Sequence, residues 1–167
     1  MRKRKRAYLA LTERMSVPAP MLGTSARVST YFSSLTEVVE RHIRECAGPI
    51  QGCIAWLTEP SLVRALSENT YGSTIIVTND ARRRLTSSCG KLKVLRVGTA
   101  SGRFRPLMHH KFVVLCDAQG APASVLTGSF NFTAHSALNC ETLMHIESRE
   151  MARHFSSCFA SVLRIAR

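Results

Sequence analysis

Short apolar runs alternating with segments of helical period constrain this chain more than any other feature. Ser73–Thr78 (STIIVT) and Leu92–Val97 (LKVLRV) are too short and too apolar to be anything but buried strands. A third run, 50–57, reads the same way, as do 108–115, 124–127 and 141–146. Between them, Ser34-Leu35-Thr36-Glu37 fits a capping box, and Leu35, Val38, Val39, His42, Ile43 and Cys46 recur at helical spacing until Gly48-Pro49. Thr58-Glu59-Pro60 opens a second helix with Leu62, Val63 and Leu66 facing inward. Ser148 caps a last helix whose apolar face is Met151, Phe155, Cys158, Phe159 and Val162. Asn79-Asp80 caps a short helix carrying Arg82, Arg83 and Arg84, 118–123 is a turn, and 134–138 is a helical turn. Strands alternating with helices predict an α/β fold, a mixed β-sheet sandwiched by helices. A single domain is expected over 31–167, behind a basic, loose segment 1–30 broken by Pro18, Pro20 and Gly23.

Charge narrows the partners. Lys plus Arg number 23 against 11 Asp plus Glu, a net +12, and the run at positions 2–6 holds only five of those cations. Such a surplus favours a polyanion, either nucleic acid or an anionic membrane face. No apolar run approaches the ~20 residues of a membrane span. Residues 7–12 are too short for the apolar core of a secretion signal and are closed by Glu13 and Arg14, so a cytoplasmic protein is expected. None of the six cysteines forms a C-x-x-C pair; buried thiols are expected, and no metal site.

The chemistry concentrates between Met108 and Glu141. His109 and Lys111 stand two apart, on one face of an otherwise apolar strand. Two adjacent cations in such surroundings are costly unless an anion meets them. Ser129 and Asn131 share a face in the same way, after Gly128, where a backbone can approach closely. An imidazole, an ammonium, a hydroxyl and a carboxamide together describe a phosphate pocket. His110 faces the other way and is read as a packing or surface residue, and Trp56 is assigned to the core.

His109-x-Lys111, then Asp117, then Gly128-Ser129-x-Asn131 resembles the HKD signature of the phospholipase D superfamily. The signature occurs once here, as in the short branch that includes bacterial nucleases and mitochondrial cardiolipin hydrolases. The resemblance covers about residues 33–160 and takes in Ile54-Ala55-Trp56-Leu57-Thr58-Glu59-Pro60 upstream. It implies that His109 attacks phosphorus to give a phosphohistidine, that Lys111 and Asn131 hold the non-bridging oxygens, and that Ser129 assists by hydrogen bonding. Glu141 would accept from the imidazole and fix its tautomer. It also implies that no metal or other cofactor is needed, and that a homodimer supplies the second histidine.

One position departs from the pattern: the aspartate is expected five residues after the lysine, where Cys116 stands, and Asp117 comes sixth. A bulge near Cys116 would restore it to the site; otherwise Asp117 only begins the turn. Arg82, Arg83, Arg84, Arg103 and Arg105 form either a solvated surface or a phosphate groove. The resemblance and the charge lead to a metal-independent phosphodiesterase, an endonuclease on DNA or RNA with DNA favoured. The alternatives are a phospholipase D-type lipid phosphodiesterase or phosphatidyl transferase on membrane lipid, and a catalytically degenerate nucleic-acid binder.

Overall fold

The computed structural model describes residues 26–79, 87–98 and 107–166. The chain there runs β1 (Arg27–Tyr31), α1 (Leu35–Glu45), β2 (Ile50–Ile54), α2 (Pro60–Glu68), β3 (Ser73–Thr78), β4 (Leu92–Val97), β5 (Lys111–Cys116), β6 (Pro122–Gly128), a 3-10 turn (Ser136–Leu138), β7 (Leu143–Glu147) and α3 (Arg149–Leu163). The strands form one mixed sheet in the order β1-β7-β6-β5-β2-β3-β4. β2, β3 and β4 run parallel, and the remaining pairings are antiparallel.

Helices cover both faces, which is why the central strands are apolar on both sides. On one face Leu35, Val39 and Ile43 of α1 and Leu62, Ala65 and Leu66 of α2 bury against Ile54, Ile75, Val113 and Leu126. On the other, Ala152, Phe159 and Val162 of α3 meet Cys53, Ile76, Phe112, Val114 and Val125. Each fully buried Leu or Ile contributes about 1.5–3 kcal/mol. The α/β sandwich expected from the alternation of elements is therefore the architecture observed.

The differences from expectation sit at element ends and edges. β1 lies in the segment read as loose, and the boundary at residue 30 falls inside it. It is an edge strand with Val28 about half exposed, so it carries no apolar signal, and its pairing with β7 alone defines it. Ser34 makes no side-chain cap; its φ of 52° is left-handed, and its carbonyl accepts from Val38 N instead. Ser148 does cap α3, accepting from Met151 N at 3.3 Å. Met151 itself is exposed, and Ala152 takes the buried position on that helix. Cys53 and Cys116 are buried as expected, but Cys89 and Cys140 are exposed. The short helix expected after Asn79 lies outside the described residues.

Candidate active site

Three chain segments meet at one end of the sheet, beyond the C-terminal end of β2 and the N-terminal end of β5. The register pairs Ile54 with Lys111 on one side, and Phe112 with Thr127 on the other. Gly128 pairs in turn with Leu143, so the loop 129–142 closes over the same end. Gly128 is required there: a Cβ would lie 2.0 Å from the Thr142 carbonyl oxygen. That closeness lets Ser129 N donate to the same carbonyl at 2.9 Å.

His109 sits just before β5 rather than within it, exposed, while Lys111 is the first residue of the strand. The Lys111 ammonium donates to the His109 carbonyl at 3.0 Å and lies 3.2 Å from both imidazole nitrogens. The two side chains thus touch, with the ammonium offered to a ring nitrogen. Partial burial, and then the Lys111 charge, holds the imidazole below its usual value. Lys111 is itself lowered by burial, against the opposing pull of Glu141. The shift at His109 favours an imidazole that is neutral and carries a lone pair near pH 7.

On the loop 129–142 the Ser129 hydroxyl donates to the Glu141 carboxylate and accepts from Thr142 N at 3.0 Å. Asn139 Nδ2 donates to the other carboxylate oxygen at 3.4 Å. The carboxylate therefore meets a hydroxyl and an amide within the chain, while the imidazole meets Lys111. Asn131 leaves its Oδ1 buried with no hydrogen-bond partner. A buried acceptor of this kind is poised for a donor that arrives with a ligand or by amide reorientation.

Of the residues read from the sequence, His109, Lys111, Ser129, Asn131 and Glu141 come to this one end. Asp117 does not. It lies past the far end of β5, where Oδ1 accepts from Gln119 N at 3.1 Å and Ala121 N at 2.9 Å, and Oδ2 from Arg149 at 2.6 Å. The register does shift between Leu115 and Cys116, but the shift leaves Asp117 shaping the turn and anchoring α3. Six residues of strand separate it from the site, roughly 17–20 Å. His110 turns away and packs edge-on to Phe112. Arg82, Arg83, Arg84, Arg103 and Arg105 lie outside the described residues.

Two residues at the site went unread. Trp56, assigned to the core, places its indole 5.3 Å from the His109 ring at 77°, with the Lys111 ammonium 6.0 Å from the indole centroid. Asn139 joins Glu141 as described. The pairing of β2 with β5 is what would have exposed Trp56, since it brings the residues after Ile54 beside those before Lys111. Among the described residues, no group of three or more His, Cys, Asp or Glu side chains is placed to hold a metal ion.

Comparison with known proteins bears on this arrangement. The domain family described as "Cardiolipin synthase, PLD-like domain" matches residues 39–163. NucT from Helicobacter pylori superposes with a TM-score of 0.70 at 14% identity, over 85% of this chain and 98% of that one. Nuc from Salmonella typhimurium, a phospholipase D family member, gives 0.65 at 18%, over 86% and 97%. A phosphatidylserine synthase from Haemophilus influenzae gives 0.61 at 15%, over 90% of this chain and 42% of that one. No curated protein matches the chain in sequence.

Proposed function

The chain belongs to the PLD-like domain family of the phospholipase D superfamily, and from that premise we propose that it is a metal-independent phosphodiesterase that cleaves nucleic acid, DNA foremost. The observation that carries this reading is the meeting of His109 and Lys111 with Ser129, Asn131 and Glu141 at one end of the sheet. A neutral imidazole beside an ammonium is a nucleophile with an oxyanion clamp. The net charge of +12 supports a polyanionic substrate.

In the proposed reaction a ring nitrogen of His109 attacks phosphorus, and the N–P bond forms as the P–O bond to the leaving group breaks. The leaving oxygen takes its proton from a second imidazolium, that of the same residue in a second copy of the chain. The neutral imidazole left behind then takes a proton from water, whose oxygen attacks phosphorus and breaks the N–P bond. Before attack, the Lys111 ammonium is engaged with the imidazole at 3.2 Å. An arriving phosphate oxygen takes over that ammonium and frees the lone pair. Asn131 holds a second oxygen. Glu141 orients the imidazole through Oε1, where the 3.4 Å bond from Asn139 is the easier to displace.

A second reading, an anionic phospholipid as substrate, is favoured by the description of the matching family and by the likeness to a phosphatidylserine synthase. The test is cleavage of plasmid and single-stranded DNA in excess EDTA, run beside release of headgroup from anionic vesicles. EDTA-resistant DNA cleavage that falls about a thousandfold or more in His109→Ala is the expected result. Vesicle hydrolysis without DNA cleavage would transfer the same chemistry to lipid. DNA binding without cleavage of either substrate would leave a binder.

A further inference from the structure

Trp56 stands on a backbone that has little freedom. The residue before it, Ala55, donates its N–H to the His110 carbonyl at 2.9 Å and accepts from Thr78 N at 3.1 Å. The residue after it, Leu57, is buried and bridges Phe132. Thr58 N and Glu59 N both donate to the Phe132 carbonyl, at 2.8 and 2.9 Å. Pro60 then begins α2, with the Glu59 side chain accepting from Ser61 N. The segment 55–59 is thus tied to the start of β5, to the end of β3 and to the loop that carries Ser129 and Asn131.

From that strap the indole reaches the imidazole edge-to-face at 5.3 Å and the ammonium at 6.0 Å. Such an aromatic surface offers one ring a preferred tilt and one cation an attractive field. We propose that Trp56 is a positioning residue: it holds the His109 imidazole and the Lys111 ammonium in fixed relation, so that nucleophile and oxyanion clamp meet a phosphate already aligned. This rests on the reading of His109 as nucleophile. It also gives the Lys111 ammonium, at the start of an apolar strand, an attractive surface when no anion is bound. The indole also covers one side of the otherwise exposed imidazole. The charged and titratable groups around His109 are Lys111 and His110 on its own segment, and Glu141 from the facing loop through its pull on Lys111.

The test combines Trp56→Leu and Trp56→Phe with two readouts. The first needs no substrate: nitrogen-15 NMR titration of the His109 ring in the free protein. In Trp56→Leu the midpoint is expected to rise toward 6.5, with Trp56→Phe between it and wild type. The second is steady-state cleavage of DNA and of bis(p-nitrophenyl) phosphate. Trp56→Leu is expected to lose about tenfold in kcat with KM held within about twofold. Trp56→Phe is expected to recover most of that loss. A rise in KM at constant kcat would make the indole a substrate contact and overturn the positioning role. An unmoved titration in Trp56→Leu overturns it outright. Should wild type cleave neither substrate, the functional reading fails while the titration still decides the role of Trp56. Should Trp56→Leu not fold, an unmoved midpoint in Trp56→Phe overturns the proposal and a raised one sustains it.

Discussion

Replacing Gly128 with alanine tests the link between sheet register and site. The added Cβ would lie 2.0 Å from the Thr142 carbonyl oxygen, 2.9 Å from its carbon and 3.1 Å from Leu143 Cα. All three are backbone atoms, so no side chain can swing aside; β6 and β7 must part by about 1 Å or more to reach ordinary contact. Overpacking of this kind costs about 1–3 kcal/mol. The same separation stretches Ser129 N to the Thr142 carbonyl at 2.9 Å and Thr142 N to Ser129 Oγ at 3.0 Å, worth about 1 kcal/mol each. A loss of about 3–5 kcal/mol follows, read by urea unfolding, with a fall in melting temperature of about 10 °C. Gly120→Ala is the control: its φ is +80°, but nothing lies within 4 Å of its Cβ. Only backbone strain remains there, about 1–2 kcal/mol. If Gly128→Ala costs no more than Gly120→Ala, the close approach of β6 and β7 does not hold Ser129 in place, and the reasoning is wrong.

Asp117→Asn is expected to lower the melting temperature and leave kcat unchanged, because its partners are the turn amides and Arg149. Arg149, then the Ala121 amide, hold that carboxyl below its usual range. Its contribution is therefore present above the usual carboxylate pKa and lost as pH falls below it; a tenfold drop in kcat would return Asp117 to the site. His42 and His145 stack at 4.2 Å between ring centroids, each with a buried, unpartnered Nε2. Burial holds both below the usual 6.5; the His145 and Arg41 charges add to this at His42 and the Arg41 charge at His145, against Glu45 and Glu147. The unfolded chain then takes up these protons first, so stability is complete above about pH 6.5 and declines as pH falls through it. Melting scans from pH 7.5 to 5.5 should show that decline, and His42→Leu should flatten it; a slope unchanged in His42→Leu refutes the assignment. A thiol reagent at pH 8 should find Cys89 and Cys140 at once, whereas Cys53 and Cys116 wait for unfolding, burial pushing Cys116 up to about 11 and Cys53 higher still. Rapid labelling of Cys53 would contradict the packing under α3.

Much of this was legible in the linear chain because it rests on local periodicity. β3 and β4 coincide with the expected runs, and the capping hydroxyl of Ser148 acts as its position suggests. His109, Lys111, Ser129, Asn131 and Glu141 were legible as a set of residue types that fits phosphate. What misled was any inference that extended a strand past its true end. The run read as a strand over 50–57 ends at Ile54, so Trp56 lies past it, where a two-residue alternation no longer fixes the direction of a side chain. β1 was invisible for the opposite reason: an exposed edge strand carries no apolar pattern, and only its ladder to β7 defines it.

The sequence by itself determined the α/β class, the helix faces that build the core and the chemical inventory of the site, all properties of neighbours within a few residues. Only the tertiary structure decided which of those residues meet. Pairing β2 with β5 turned a tryptophan assigned to the core into a neighbour of His109 and Lys111. Running β5 to Cys116 carried Asp117 a full strand length away. Strand order and register join segments far apart in the chain, and no local pattern encodes the partner across a ladder.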